Sequence, residues 1–320
     1  MKFDSPLILD GGLATELERT FDKDLSGRLW SAHCLDQDPD AIRAVHGSYF
    51  EAGANVATTA SYQASIQGFL DAGYSREEAV KLMRRSVQIA REARDAYGKG
   101  YVALSMGPYG AVLANGAEYT GDYGNEISMD DLVAFHRERL DICMQEPGVD
   151  FILFETIPSF LEARAIHKLI EEKVQELPPV AVSFSCRSNE HISDGTSLHT
   201  CLELLGKLDN IFAVGVNCTK PKYIAALLDV LLSNSNNNNK AILLYPDGGE
   251  EWDAIARNWN SSTKVSTVVF GKSMAGWAAQ VTAKTGQNVI LGGCCGVGPK
   301  HISCIREAIE IASITTAQLP

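Results

Sequence analysis

The sequence predicts one (β/α)8 TIM barrel that spans residues 1–320, and three observations support this fold. Eight short apolar runs, each bounded by turn-forming residues, alternate along the chain with helical stretches. Eight such units in 320 residues favour a closed parallel barrel over an open sheet. A dinucleotide-binding sheet would require a GxGxxG motif after the first apolar run, and this sequence has none there.

The predicted strands carry these sequences in chain order: LILDGG, NVATTASY, YVALSMGPYG, FILFETIP, VAVSFSC, FAVGVNC, AILLYPDGG and VILGGCCG. Two of the intervening helices have clear start signals, because residues 75–98 and 128–145 each open with a serine followed by acidic residues. Residues 233–240, SNSNNNNK, predict a polar surface loop before the seventh strand, to which we assign no function.

Composition limits the classes of partner. The formal net charge of −12 argues against nucleic acid, since binding to phosphates needs clustered lysine and arginine. No run of 18 apolar residues and no signal peptide is present, so we expect no membrane partner and a cytoplasmic location. The composition, with 45% hydrophobic and 21% charged residues, is typical of a globular enzyme.

Polar residues stand where several of the predicted strands end. In a barrel of this kind the active site is built from the carboxyl ends of the strands and the loops that follow them. The residues at these ends that can bind a metal or exchange a proton are Asp10, Glu155, Cys218, Asp247, Cys294 and Cys295.

The adjacent pair Cys294 and Cys295 is the most specific of these features. Neighbours in a strand point to opposite faces, so both thiols can reach one ion only where the backbone turns. Gly292 and Gly293 before the pair, and Gly296 after it, permit such a turn and a close approach of the chain.

Cys218 can add a third sulfur, because the sixth and eighth strands end near each other in a closed barrel. Zinc suits three thiolates and would keep a fourth position free for substrate. Ordinary packing and a redox-active vicinal disulfide remain alternatives for the pair. The other five cysteines have apolar neighbours and predict simple packing: Cys34, Cys143, Cys186, Cys201 and Cys304.

Taken together, eight motifs resemble the homocysteine S-methyltransferase family: ILDGGLATELE, TTASYQAS, SMGPYGA, EYTGDYG, FETIP, GVNC, YPDGGE and LGGCCG. They cover nearly the whole chain in the family's order. The resemblance implies a (β/α)8 barrel in which three cysteines, matching Cys218, Cys294 and Cys295 here, hold a zinc ion that binds the sulfur of homocysteine.

The resemblance also bears on the methyl donor. The segments LWSAHCL, SYQASIQGF and EYTGDYG are most similar to the single-domain branch that uses S-methylmethionine or S-adenosylmethionine. The segment CCGVGPKHI lacks the Arg-Thr-Thr-Pro run of that branch and locally resembles the betaine-using branch. Betaine as donor, a selenol such as selenocysteine or selenohomocysteine as acceptor, and a non-catalytic zinc or thiol sensor are the alternatives.

Asp10 and Glu155 match positions at which the family contacts its amino-acid substrate. They imply binding of the homocysteine ammonium group through charge-assisted hydrogen bonds. The structural alternatives are a turn-forming aspartate for Asp10 and a buried ion pair for Glu155.

Backbone amides and aromatic rings complete the expected site. The amides of Gly11, Gly12 and Leu13 can receive the substrate carboxylate. Trp30 and Tyr62 can face the sulfonium of the donor, although ordinary packing explains each ring as well. Tyr119 and Tyr123 predict part of a covering loop after the third strand. The seven histidines form no pattern of metal ligands or catalytic partners.

Overall fold

Eight parallel strands form a barrel in the computed structural model, which describes residues 6–25, 27, 29–235, 239–253, 258–260 and 263–317. The strands of the barrel are β1 (Leu7–Ile8), β2 (Val56–Thr58), β3 (Tyr101–Met106), β4 (Phe151–Ile157), β5 (Val180–Phe184), β6 (Ile211–Asn217), β7 (Ala241–Tyr245) and β10 (Val289–Leu291). Their hydrogen-bonded order is β1, β10, β7, β6, β5, β4, β3, β2. A parallel bridge between Leu9 and Val56 joins the two remaining edges. The predicted fold and all eight predicted strands are confirmed.

Helices lie between the strands. They are α1 (Leu13–Phe21), α2 (Cys34–Gln37), α3 (Pro39–Glu51), α4 (Ile66–Asp71), α5 (Arg76–Tyr97), α6 (Tyr109–Leu113), α7 (Met129–Cys143), α8 (Phe160–Lys173), α9 (Leu198–Leu205), α10 (Pro221–Ser233), α11 (Thr267–Thr285) and α12 (Pro299–Ala317), with 3-10 turns at Trp30–His33 and Ala117–Tyr119. None of these helices is long and apolar enough to span a membrane.

The two predicted helix starts are confirmed as capping boxes. The Ser75 hydroxyl accepts the N–H of Glu78, whose carboxylate accepts the N–H of Ser75. Ser128 and Asp131 form the same reciprocal pair at the start of α7. Each box satisfies backbone donors that the first helical turn leaves without partners.

One element was not predicted. An antiparallel pair of strands, β8 (Glu251–Asp253) and β9 (Asn258–Asn260), follows β7. The predicted polar loop does lie between α10 and β7, but its residues 236–238 are outside the described residues.

The barrel interior changes from apolar to polar along each strand. Alternate residues face inward, so Leu153 and Leu243 lie in the apolar core of the barrel. Two positions further along the same strands, Glu155 and Tyr245 stand at the carboxyl end, where the hydroxyl of Tyr245 donates to Glu155. The pleat therefore places a polar layer directly above the apolar core.

Arg139 on α7 ties together two loops at the mouth of the barrel. Its side chain is buried, and it donates to the carbonyls of Ala64 at 2.9 Å and Gly107 at 2.6 Å. It also donates to the carbonyls of Ser61 at 2.9 Å and Tyr62 at 2.8 Å. The loops after β2 and β3 thus share one buried cation that satisfies four carbonyl groups.

Replacing Arg139 by methionine should lower the free energy of unfolding by about 3–5 kcal/mol, because four carbonyls lose a charged donor. Urea denaturation at neutral pH measures the change. Arg137→Met on the same helix is the control, since Arg137 pairs at the surface with Glu172 and such pairs contribute less than about 1 kcal/mol. Equal losses in both variants would contradict this role for Arg139.

Candidate functional site

Three thiols meet at the carboxyl ends of the strands. Cys218 directly follows β6, and Cys294 and Cys295 come shortly after β10, with β7 between these two strands. The Sγ atoms of Cys294 and Cys218 are 2.6 Å apart, and those of Cys218 and Cys295 are 3.6 Å apart. All three sulfurs lie within 4.8 Å of one another. The structure therefore brings the three predicted cysteines together.

The backbone around the thiols departs from regular strand geometry. Cys218 has φ +47°, a left-handed conformation that residues with a Cβ rarely adopt, and Gly296 has φ +79°. A Cβ at Gly293 would lie 2.0 Å from Cγ1 of Val297. Gly296 therefore permits the predicted turn, whereas Gly293 permits close packing of the loop.

The chemistry of the three side chains fits a soft cation such as zinc. Thiol hydrogen bonds from Cys218 and Cys294 lower the pKa of Cys295, so one thiolate is favoured within the cluster. Tetrahedral Zn–S bonds of about 2.3 Å would separate the sulfurs by about 3.8 Å, close to the 3.6 Å between Cys218 and Cys295. Cys294 would move away from Cys218 by about 1 Å to complete such a site.

A cavity extends from the thiols into the barrel mouth. Ten of the residues predicted for the site line it: Asp10, Gly11, Gly12, Leu13, Trp30, Tyr62, Glu155, Cys218, Cys294 and Cys295. One pocket thus contains both the candidate metal ligands and the candidate substrate contacts.

Glu155 is buried on the inner face of β4. It accepts hydrogen bonds from the hydroxyl of Ser105 and, at 3.2 Å, from that of Tyr245. Burial raises the pKa of this carboxyl to about 7. No basic side chain among the described residues pairs with Glu155. The alternative interpretation of Glu155 as half of a buried ion pair is therefore wrong for the described residues.

Asp10 is also buried, and its carboxylate joins the first strand region to β2. It accepts the N–H of Thr58 at 2.8 Å and the hydroxyl of Thr58 at 2.9 Å. Burial raises the pKa of Asp10 to about 8. His46 lies 4.0 Å away, but burial lowers its pKa to about 4, so its ring is neutral at pH 7. The pocket therefore holds two buried acids without a basic partner in the described chain.

The glycine turn differs from the prediction at one amide. The N–H of Gly12 donates to the carbonyl of Val297 at 2.9 Å and is not available to a substrate carboxylate. A Cβ at Gly11 would lie 2.3 Å from the same carbonyl oxygen, so the chain approaches closely here. The N–H groups of Gly11 and Leu13 have no acceptor among the described residues and remain candidates.

The aromatic residues divide into two groups. Trp30, with φ +46°, packs edge-on against Tyr62 with ring centroids 6.4 Å apart. Tyr119 places its hydroxyl 3.9 Å from the Cys218 sulfur. Tyr123 instead donates to buried Glu162 and does not line the pocket. Of the two tyrosines of the predicted covering loop, only Tyr119 faces the thiols.

Several contributors were not predicted. Ser105 and Tyr245 position Glu155, and Thr58 positions Asp10. All three lie in predicted strands and close to their carboxyl ends, which was the signal available in the sequence. Glu118 also lines the pocket through the loop after β3.

Asp247 stabilises its own turn and pairs with a lysine. Its carboxylate accepts the N–H of Gly249 at 2.8 Å and lies 2.9 Å from Nζ of Lys220. The negative charge is therefore largely compensated.

The fold and the site define a (β/α)8 barrel that carries three clustered thiols, which could hold a metal ion, beside an acidic pocket. The sequence model of the homocysteine S-methyltransferase family matches residues 7–309. Homocysteine S-methyltransferase 2 of Zea mays is 43% identical over 98% of this chain and 92% of its own. Selenocysteine Se-methyltransferase of Brassica oleracea var. italica is 39% identical over 94% of this chain and 88% of its own.

A solved structure agrees with these sequence matches. The metallated form of the homocysteine methyltransferase MmuM from Escherichia coli superposes with a TM-score of 0.79 at 33% identity, covering 95% of this chain and 96% of its own. The chain therefore belongs to the homocysteine S-methyltransferase family.

The raised pKa of Asp10 predicts how stability depends on pH in the absence of ligand. The carboxyl titrates near 3.8 when unfolded and near 8 when folded, so folding binds a proton between these values. The stability that this group contributes is present below pH 3.8 and is lost as pH rises towards 8.

Asp10→Asn should therefore gain stability relative to the original protein as pH rises from 4.5 to 8, by on the order of 4 kcal/mol. Urea unfolding of the reduced, metal-free protein at several pH values measures this difference. A constant difference for Asp10→Asn would show that its folded pKa is not raised.

Proposed function

We propose that this chain is a zinc-dependent methyltransferase that moves a methyl group from S-methylmethionine, or less effectively from S-adenosylmethionine, to the thiol of homocysteine, forming methionine. One observation carries the proposal: three thiols share a pocket with two buried carboxyl groups that lack a basic partner among the described residues. An amino acid with a thiol side chain offers its sulfur to a metal held by the three thiols and its ammonium group to the two carboxyl groups.

Cys218, Cys294 and Cys295 are the proposed zinc ligands. Zinc in this site would keep the bound substrate thiol ionised, whereas a free thiol with a pKa near 8.5 is only a few per cent thiolate at neutral pH. As the three ligands of such an ion, these cysteines would leave it able to bind the substrate sulfur. Their negative charge would help that sulfur to retain its reactivity towards carbon.

Asp10 and Glu155 are the proposed contacts of the homocysteine ammonium group. Both carboxyls open onto the cavity that contains the thiols, and both are held by hydroxyl donors rather than by cations. An ammonium group supplies the missing positive charge and favours their ionised forms. The amides of Gly11 and Leu13 are the proposed contacts of the substrate carboxylate.

Charge and shape support a sulfonium donor. The thiolates and carboxylates of the pocket attract a cationic methyl-bearing centre, whereas the methyl-bearing nitrogen of methyltetrahydrofolate carries no positive charge. Trp30, Tyr62 and Tyr119 line the cavity and offer aromatic faces to the sulfonium. Because the sulfonium leaves as a neutral thioether, no acid is needed, and the protein acts mainly by holding donor and acceptor in line.

Two alternatives remain within the enzyme class. A selenol is a softer ligand than a thiol and would also bind zinc, and one relative that is 39% identical carries the name selenocysteine Se-methyltransferase. Betaine carries a quaternary ammonium group and is the rival donor. Membership in a methyltransferase family favours an enzyme over a zinc or thiol sensor.

Removal of any one of the three ligands should abolish metal binding and activity. We expect about one zinc per chain by metal analysis of the purified protein. Cys218→Ser, Cys294→Ser and Cys295→Ser should each lose zinc, because a serine hydroxyl is a far weaker ligand than a thiolate. Cys304 lies outside the cluster, so Cys304→Ser should retain zinc. Full activity in protein stripped of zinc would contradict the mechanism.

The donor preference is tested by kcat/KM at saturating homocysteine. S-methylmethionine should be the best donor, because the pocket surrounds a small sulfonium, and S-adenosylmethionine should be poorer. Betaine and methyltetrahydrofolate should be poorer still, as followed by methionine formation. Higher turnover with betaine than with S-methylmethionine would overturn the donor assignment and leave the role of the thiols intact. No methionine from any donor would overturn the proposed function.

A further inference from the structure

A second cavity adjoins the substrate pocket on the other side of the thiols. We call this second cavity the outer groove. It shares the side chains of Trp30, Tyr119, Cys218 and Cys295 with the inner pocket. These residues therefore form the boundary between two cavities, and a sulfur atom bound at the boundary can be reached from both.

The outer groove carries ionised side chains of both signs, and two pairs of them compensate each other. Lys220 lies 2.9 Å from Asp247, and Arg19 lies 3.5 Å from Glu250. Because each pair joins one positive and one negative side chain, the two pairs add little net charge to the groove.

Glu18 and Arg187 also line the groove, and both side chains are exposed. Within the described ranges, neither side chain forms an ion pair or a hydrogen bond. The groove thus presents one carboxylate and one guanidinium that are not engaged with the described protein.

Arg187 is held over the groove by the loop after β5. Its N–H donates to the carbonyl of His191 at 3.1 Å, and the neighbouring Cys186 bridges to Ile192 in an antiparallel turn. A Cβ at Gly195, which has φ +97°, would lie 2.6 Å from Nη2 of Arg187. The guanidinium therefore packs on a glycine that leaves room for it.

We infer that the outer groove binds the amino-acid end of the methyl donor, with its α-carboxylate at Arg187 and its α-ammonium at Glu18. The inference rests on the proposed function, since it requires a sulfonium donor. S-methylmethionine and S-adenosylmethionine both carry this end, so the site serves either one. A guanidinium binds a carboxylate through two parallel hydrogen bonds, which fixes the orientation of the ligand.

The two cavities suit an in-line transfer. Homocysteine presents its sulfur from the inner pocket after its thiol proton has been lost to solvent. The donor presents its methyl group from the groove, with the sulfonium near Trp30 and Tyr119. A carbon–sulfur bond forms to homocysteine as the donor's carbon–sulfur bond breaks, and the electron pair of that bond stays on the donor sulfur, which becomes a neutral thioether.

Steady-state kinetics of the zinc-loaded enzyme with donor analogues test the inference. Arg187→Gln should lower kcat/KM for S-methylmethionine about 10- to 100-fold, with zinc content and the KM for homocysteine unchanged. The kcat/KM of Arg187→Lys should lie between those of the original enzyme and Arg187→Gln, because lysine keeps the charge but loses the paired hydrogen bonds. With the methyl ester of S-methylmethionine, which lacks the carboxylate charge, Arg187→Gln and the original enzyme should be equal.

Glu18→Gln makes the complementary test. It should lower kcat/KM for S-methylmethionine but not for dimethylsulfoniopropionate, which has a carboxylate and no ammonium. Lys222→Gln removes another cation from the groove and is the control for general electrostatics; it should change kcat/KM less than about twofold.

The outcomes separate the two proposals. Equal kcat/KM for the original enzyme and Arg187→Gln with S-methylmethionine would overturn the inference while methyl transfer stands. An equal loss with the acid and its methyl ester would overturn it as well. A raised KM for homocysteine in Arg187→Gln would assign the arginine to the acceptor instead. An original enzyme that uses no sulfonium donor would overturn both the proposed function and the inference.

Discussion

Closure of the barrel at β1 is the constraint on which the site depends. This strand pairs with β10 on one side, and Leu9 bridges to Val56 on the other. Because every strand of the barrel is parallel, their carboxyl ends meet at one mouth. The carbonyl of Asp10 then accepts the N–H of Gly293 at 3.2 Å, directly before the paired thiols. Residues from opposite ends of the chain thus form one site.

The pleat of the strands determines what the mouth contains. Inward positions are apolar through most of the barrel and become polar at Ser105, Glu155 and Tyr245. Placing carboxyl groups on an apolar core raises their pKa, since burial disfavours the charged form. A pocket of this kind is a poor environment for its own charges and a good one for a ligand with the opposite charge. In the proposed function, this imbalance favours a substrate that carries an ammonium group.

The sequence was sufficient for features that depend on local pattern. Apolar runs identified the strands, and serine followed by acidic residues identified the starts of α5 and α7. The cysteines were found because strand ends of a barrel converge. Features that depend on long-range contacts were missed. The engagement of Gly12 by Val297 joins segments far apart in the chain, and no local signal reveals it.

The dependence on long-range contacts also explains why the sequence did not predict the positions of the two tyrosines and the histidine near the pocket. Tyr119 and Tyr123 lie on one short loop, and only their tertiary partners separate a pocket residue from one that packs on Glu162. His46 was set aside because it forms no motif, yet the fold places it 4.0 Å from Asp10. Its position depends on how α3 packs against the barrel, which the sequence pattern does not specify.

The left-handed backbone at Cys218 has a consequence for protein engineering. The thiol is aimed by the main chain leaving β6, and not by a choice of side-chain rotamer on a regular strand. Three cysteines grafted onto the strand ends of another barrel would therefore point away from one another unless the host also reproduced this turn and the tight packing at Gly293. A successful graft would therefore have to transfer the backbone of the two loops that follow β6 and β10, and not only the three cysteine side chains.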